Sequence, residues 1–306
     1  MAKLASGCPS DPSAAAAAAA AAPIADPPGL ILVATPIGHL GDLSPRALAT
    51  LRGADAILCE DTRVTGGLLV KHGLSATMIP LHEHNEDAQI PRVLERLRAG
   101  QRLALVADAG TPLVSDPGYR LVRAAIAAGL PVGAVPGPSA AVMALTLSGL
   151  PPHPFLFLGF LPPKAAARAT EIGRVRAAER AGLAATLILY EAPHRLAETL
   201  AALGEGLGAE RPAAVARELT KRFEEVRRDS LGALAAHYAA EAARGEVVVV
   251  IGPAPPETTS AATLDDRLQA ALAAGLSLRD AAATVAEATG LPRRQVYARA
   301  LELAGT

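Results

Sequence analysis

Chemistry needs polar side chains where backbone can bring a ligand close, and several stretches of this chain supply them. Thr35-Pro36-Ile37-Gly38-His39-Leu40-Gly41-Asp42 follows an apolar run, and its glycines let backbone approach a ligand. It lacks the Gly-Lys-Ser/Thr ending of a Walker loop and is not a G-x-G-x-x-G fingerprint. Cys59-Glu60-Asp61-Thr62-Arg63 sets a carboxylate pair beside a guanidinium, which can orient a sugar hydroxyl or a proton. The same acids would equally cap a helix, with Asp61 or Thr62 at its start. Asp108-Ala109-Gly110-Thr111-Pro112-Leu113-Val114-Ser115-Asp116-Pro117-Gly118 is dense in turn formers and carboxylates, and its small residues leave room for a cofactor. Val135-Pro136-Gly137-Pro138-Ser139-Ala140-Ala141 brackets a glycine with prolines and then opens a helix, whose free N–H groups can hold an oxygen. Further on, Leu189-Tyr190-Glu191-Ala192-Pro193-His194-Arg195 and Ala216-Arg217-Glu218-Leu219-Thr220-Lys221 again put polar groups behind apolar runs.

The elements that must position these loops alternate. Apolar runs at Leu30–Ala34, Ala54–Cys59, Thr77–Leu81, Arg102–Ala107 and Pro131–Val135 read as strands. Helical patterns open at Ser44-Pro45 and cover Thr62–His72, Glu86–Ala99, Gly118–Ala128 and Pro138–Ser148. Such alternation implies parallel βαβ units, and open α/β sheets bind ligands at the strand ends. Pro151-Pro152-His153-Pro154 marks a boundary, after which a second α/β unit runs to Ile251, including a strand at Arg222–Arg228. Gly252-Pro253-Ala254-Pro255-Pro256 is another linker, and residues beyond Thr263 read as short helices. The expected organisation is an Ala-rich disordered extension (1–28), an N-terminal α/β domain (29–151), a C-terminal α/β domain (152–254), and a linker with a helical tail (255–306).

Composition narrows the classes. The 306 residues are 51% apolar and 19% charged, a globular balance. Lys plus Arg (29) against Asp plus Glu (30) leaves a net charge of −1, so any nucleic-acid partner needs a local patch. Two cysteines, Cys8 and Cys59, argue against a disulfide framework and a four-cysteine metal site, and fit a reducing, cytoplasmic setting. No metal is expected. The head, Met1 to Pro28, lacks the basic start and strong apolar stretch of a signal peptide, and no membrane span is expected.

Taken in order, these motifs resemble the tetrapyrrole-methylase superfamily of S-adenosyl-L-methionine (SAM) methyltransferases. Within it they are most similar to the small-subunit (16S) ribosomal RNA cytidine 2′-O-methyltransferases. The likeness rests on Thr35-Pro36-Ile37-Gly38, Glu60-Asp61-Thr62-Arg63, His84-Asn85-Glu86, Asp108 to Pro112 with Ser115 to Gly118, Pro136-Gly137-Pro138-Ser139, Tyr190-Glu191 with His194-Arg195, and Ala216 to Lys221. It spans about Leu30 to Gly252. His39 stands where the family pattern has Asn, and the Ala-rich head lies outside the pattern. The resemblance implies two α/β domains of the class III type plus a small helical domain. It also implies SAM as methyl donor, 16S rRNA in the small subunit as substrate near the decoding site, and a homodimer. The cofactor then lies between the domains, ringed by Pro36, Ile37, Gly38, Asp108, Ala109, Gly110, Thr111, Pro138, Ser139 and Ala140. Glu60, Asp61, Arg63, Glu191, Arg195 and Lys221 face the nucleotide. The proton acceptor stays open among Glu60, Asp61, Asp108, Glu191, His194, Glu218 and Lys221.

Two basic clusters suit RNA. Lys164, Arg168, Arg174, Arg176 and Arg180 oppose only Glu171 and Glu179, while Arg217, Lys221, Arg222, Arg227 and Arg228 oppose Glu218, Glu224, Glu225 and Asp229. The tail from Ser277 to Leu301 resembles a helix-turn-helix whose second helix carries Arg293, Arg294 and Arg299. Two other readings stand beside this one: a methylase for a tetrapyrrole or other small molecule, and a noncatalytic nucleic-acid-binding protein.

Overall fold

The protein is described by a computed structural model covering residues 28–255 and 261–305, with side chains described from Leu264 in the latter segment. The Ala-rich head expected to be disordered lies, up to Pro27, outside the described residues. The compact units divide between Pro253 and Ala254.

The first sheet contains β1 (Gly29–Val33), β2 (Ala56–Cys59), β3 (Met78–Pro80), β4 (Arg102–Val106) and β5 (Val132–Val135). Its order is β3-β2-β4-β1-β5 and every pairing is parallel, as the alternation predicts. Both faces are covered, so the strands are near-continuous apolar runs. Ile31 and Val33 pack with Ala47 and Leu51 of α1 (Pro45–Gly53) and Leu69 of α2 (Thr62–Lys71). Leu30 turns the other way, toward Val93 and Leu97 of α3 (Glu86–Arg98) and Leu121 of α4 (Tyr119–Ala127). Ser44 caps α1 by accepting from the Ala47 N–H at 3.1 Å, with Pro45 in the first turn. In His84-Asn85-Glu86 the buried Glu86 accepts from the Leu121 N–H at 2.9 Å and from Arg120, tying α3 to α4.

The second sheet holds β6 (Phe155–Phe160), β7 (Thr186–Glu191), β8 (Pro212–Arg217), β9 (Glu225–Ser230) and β10 (Val247–Ile251), in the order β6-β7-β10-β8-β9. Only β6 and β7 are parallel; the remaining pairs are antiparallel. The strand expected at Arg222–Arg228 lies at Glu225–Ser230 instead, because residues 218–224 form the turn joining β8 to β9. That connection is too short for a crossover helix, which forces a hairpin. Val247, Val249 and Ile251 of the buried β10 face a core built with α6 (Ala165–Arg180), α7 (Leu196–Leu207) and α8 (Leu231–Ala240). Val248 and Val250 face the opposite side, where α5 (Ala140–Ser148) packs through Ala141, Ala144 and Leu145. So α5 precedes the proline-rich boundary in sequence but packs on the second sheet. Ile37, from the loop after β1, joins the same cluster.

One basic side chain of α6 turns inward, while Arg174, Arg176 and Arg180 stay exposed. Arg168 is only 2% exposed and pairs with Glu198, so it is unavailable to RNA. Arg176 donates to the Gly206 carbonyl at 2.8 Å, and Arg174 pairs with Glu171 at 2.7 Å. Glu179 is held by Arg211 at 2.6 Å, with both side chains buried. Spacing along a sequence counts charges but does not reveal which of them turn inward.

The other unit is a three-helix packing of α9 (Ala261–Ala273), α10 (Leu278–Thr289) and α11 (Arg293–Ala304) around Leu264, Leu268, Val285 and Val296. Ser277 caps α10. Arg299 is bound by Asp265 and Glu302, both at 2.6 Å, whereas Arg293 and Arg294 are exposed.

Candidate active site

The sheet order makes β4, β1 and β5 neighbours, so the loops leaving their carboxyl ends lie side by side. They are stitched together. Thr35 and Gly110 exchange backbone hydrogen bonds at 2.9 and 3.1 Å, and the Thr35 hydroxyl donates to the Ala107 carbonyl at 3.2 Å. The Thr111 hydroxyl donates to the Pro138 carbonyl at 2.9 Å. Across the cleft, the His39 N–H donates to Thr220 Oγ1 at 3.0 Å. Gly38 is needed at this contact: a Cβ there would lie 2.5 Å from Lys221 Cγ and 2.6 Å from Thr220 Oγ1. His39 Nδ1 accepts from the Gly41 N–H at 3.1 Å, so the residue that replaces Asn supplies an acceptor to the turn.

A cavity of about 400 Å³ opens between the two sheets, a size normal for a small-ligand site. Of the residues expected around a cofactor, Ile37, Asp108, Ala109, Gly110, Thr111, Ser139 and Ala140 line it. Pro36, Gly38 and Pro138 are not on its wall; they shape the loops behind. The far wall comes from Tyr190, Phe160 and the stretch from Gly245 to Val248. Strand β6 bulges between Phe157 and Phe160, and the Phe160 and Tyr190 rings meet edge to face at 5.6 Å.

Electrostatics single out the carboxylates. Asp61 caps α2 by accepting from the Arg63 N–H at 2.8 Å. Hydrogen bonds from the Arg63 side chain and backbone hold its carboxyl down at about 2. The Asp61 N–H donates in turn to Asp108 Oδ1 at 3.1 Å. Burial pushes Asp108 up, and burial with the Asp108 charge does the same to Glu60. Asp116 is pushed furthest, to about 7, first by burial and then by the Glu60 and Asp108 charges. No described side chain or N–H hydrogen-bonds it. It follows Leu113 and Ser115, whose φ values of 72° and 69° are left-handed and costly for such residues. Ser115 and Asp116 also line a neighbouring groove bordered by Glu60 and Glu86, so they form the wall between two spaces.

The remaining expected residues are distributed differently. The Glu191 carboxylate is fully buried and accepts from the Thr199 hydroxyl at 2.6 Å, Arg195 at 3.0 Å and the Ala192 N–H at 2.7 Å. Arg195 also donates to the Leu161 carbonyl at 2.8 Å. Glu191 borders the cavity, but its carboxylate and the Arg195 guanidinium are tied up by these bonds within the second lobe. Lys221 pairs with Glu218 at 2.9 Å and Glu246 at 3.2 Å. Arg63 projects into solvent beyond Asp61, its side chain 88% exposed. Sequence reasoning quoted the motifs holding Asp116 and Tyr190 without giving either a role. The lining from Gly245 to Val248 carries no motif, because it contributes largely apolar surface. Among the described residues no cluster of His, Cys, Asp or Glu is arranged to hold a metal.

Paired α/β lobes around one cleft define a class. The family model for tetrapyrrole (corrin/porphyrin) methylases matches residues 29–235, and that for the RsmI C-terminal HTH domain matches 258–304. "Ribosomal RNA small subunit methyltransferase I" of Mesorhizobium japonicum is 50% identical over 280 residues, covering 91% of this chain and 93% of that protein. Its namesake from Pseudomonas aeruginosa is 44% identical over 282 residues, covering 90% and 98%. The chain belongs to the ribosomal RNA small subunit methyltransferase I family, within the tetrapyrrole methylases. The fold recurs in the methyltransferase CobJ, with a TM-score of 0.56 and 22% identity over 74% of this chain and 94% of that one. It recurs too in a conserved hypothetical protein from Aeropyrum pernix K1, with a TM-score of 0.57 and 19% identity over 90% and 97%.

Proposed function

We propose that this protein uses SAM to methylate the 2′-oxygen of a cytidine ribose in 16S rRNA of the small ribosomal subunit, near the decoding site. The observation that carries the reading is the cleft itself, with Asp116 on the wall between its cavity and the adjoining groove. When bound, SAM supplies a methyl group activated on a sulfonium. The cavity suits it: Ile37, Ala109, Ala140 and Val248 offer apolar walls, and the Asp108 and Asp116 carboxylates balance a positive centre. Gly110, Thr111 and Ser139 complete the cradle, with Pro36, Gly38 and Pro138 shaping the loops behind it.

In-line transfer needs the acceptor oxygen about 3–3.5 Å from the methyl carbon, so the chain's main work is positioning. Asp116 takes the 2′-hydroxyl proton. It is free of internal hydrogen bonds, lies on the boundary between the two spaces, and titrates near neutrality, where a general base is most effective. Glu60 borders the groove, and Arg63 offers its exposed guanidinium to the nucleotide's phosphate. Asp61 holds Arg63 and the helix start. Lys221 holds the Glu218 carboxylate, which in turn accepts the Glu246 N–H, and it pairs with the Glu246 side chain. Glu191 and Arg195 act as positioning residues behind Tyr190. In the tail, Arg293, Arg294 and the 40% exposed Tyr297 support RNA contact.

The protein works as a homodimer in the cytoplasm. Exposed Phe155, Leu156 and Phe160 on edge strand β6 support the dimer, and the absence among described residues of any helix able to cross a membrane is consistent with that location. The test is transfer from labelled SAM to unmodified small subunits, followed by nuclease digestion and nucleoside mass spectrometry. The expected product is 2′-O-methylcytidine. SAM binding with no RNA product overturns the substrate.

A further inference from the structure

The turn from β8 to β9 is stiffer than a connection needs to be. Glu218 and Thr220 hold left-handed φ values of 52° and 63°. The Thr220 N–H donates to Glu224 at 2.6 Å, and the Lys221 N–H donates to the Glu218 carbonyl at 3.0 Å. Glu218 reaches across to the Glu246 N–H at 3.0 Å, and a Cβ on Gly245 (φ +80°) would run into the Glu218 side chain. This braced turn ends in Phe223, which stands 64% exposed with the Arg222 guanidinium 5.4 Å from its ring centre. Holding an aromatic ring rigidly in water costs free energy and gives the fold nothing in return.

Beside Phe223 a groove leads away from the methyl-transfer cavity. Its first part, about 290 Å³, is lined by Arg217, Glu218, Phe223, Arg244 and Gly245, and Gly245 is shared with that cavity. Its second part, about 490 Å³, shares Arg217 and Arg244 and adds Arg227, His237 and Tyr238. Charge in the second part favours an anion. Arg217 and Arg227 both lean on the single carboxylate of Glu225, at 2.9 and 3.1 Å, and Glu241 is the other acid there. The Arg244 guanidinium has no partner among the described residues. The Tyr238 hydroxyl is buried with no hydrogen-bond partner at bonding distance, although Arg227 lies close. An orphaned donor facing arginines is a place for a phosphate oxygen.

We propose that this groove carries the single-stranded RNA flanking the target nucleotide, with a base stacked on Phe223 and phosphates held by Arg227, Arg244 and Tyr238. An exposed ring between arginines fits unpaired nucleotides, because a base inside a duplex presents no free face to stack. Continuity through Gly245 gives the strand a path into the cleft. The inference rests on the RNA reading above and extends it to a surface.

The test uses the full chain carrying Phe223→Ala, Phe223→Trp or Arg244→Ala, assayed on unmodified small subunits, with SAM affinity and solution mass measured alongside. Phe223→Ala and Arg244→Ala each raise KM for the subunit about tenfold, and Phe223→Trp restores it. Arg244→Ala also lowers the steepness of the salt dependence by about 0.7, the value of one phosphate contact on a single strand. SAM affinity and solution mass stay at wild-type values. Wild-type KM in both alanine variants overturns the proposal, as does a change of solution mass, which makes the surface a contact between copies of this chain. A wild-type chain that binds SAM yet modifies no subunit overturns the RNA reading and this one together. A methylating wild type with indifferent variants overturns this one alone.

Discussion

Replacing Asp116 by Asn separates chemistry from stability, and the two must move in opposite directions. The carboxyl rises from an ordinary 3.8 to about 7, with burial as the first cause. Each pH unit of displacement corresponds to about 1.4 kcal/mol, or roughly 4 kcal/mol in all. Asp116 is partly open to solvent, so screening cuts this to ~2 kcal/mol. A folded-state pKa above the unfolded one means that stability is fully present below about pH 4 and is lost as pH climbs to about 7. Asn carries no charge to bury, so Asp116→Asn stabilises the fold at pH 8 by ~2 kcal/mol, on the order of 4–8 °C in Tm. That advantage shrinks steadily as pH falls from 7 toward 4. Transfer to small subunits drops about 10²–10⁴-fold, because the proton acceptor is gone. In the wild type, kcat/KM rises through about pH 7 and levels off. With SAM saturating, the inflection moves lower, since a cation beside the carboxylate favours its ionised form. The assay pairs thermal melts from pH 5 to 8 with single-turnover transfer over the same range. An Asn variant that transfers at the wild-type rate, or that melts lower at pH 8, refutes the reasoning.

Other substitutions test the frame. Gly38→Ala forces a methyl against Lys221 and Thr220 across the cleft, costing ~1–3 kcal/mol; weaker SAM binding by calorimetry is the expected result. Glu191→Ala removes the buried carboxylate that holds Arg195 and Thr199, so it lowers stability by ~3–5 kcal/mol in chemical denaturation. Arg211→Ala strands the buried Glu179 carboxylate and destabilises by a comparable ~3–5 kcal/mol, although it lies outside the cleft. Asp61→Asn weakens the hold on Arg63 without emptying the helix cap, so the melting temperature stays close to wild type while KM for the subunit rises.

The first sheet was legible because its strands are buried on both faces and its helices announce themselves with Ser44-Pro45 and Asp61-Thr62. The second sheet was legible as strands but not as a mixed sheet, since antiparallel pairing of β10 leaves no trace in a Val-rich run. Loop positions were readable from turn chemistry at Asp108 to Thr111 and Pro136 to Ser139. What escaped depends on which way side chains turn. Arg168 and Glu191 carry charge in sequence, yet they sit inside, where charge must be paired. Asp116 reads as one more turn residue until two neighbouring carboxylates and burial are found around it.

The position of α5 bears on modularity. A cut at the proline-rich boundary would strip the second sheet of the helix that covers Val248 and Val250, and would leave Ala144 and Leu145 bare on the fragment released. Gene fusion or shuffling at that seam therefore yields two sticky halves rather than two exchangeable parts. Inheritance of the catalytic region is all or nothing, from Gly29 to Pro253, and a viable evolutionary joint lies at Ala254. There the helical tail begins, a unit with a core of its own, which is what a lineage needs to gain, lose or replace it as a module.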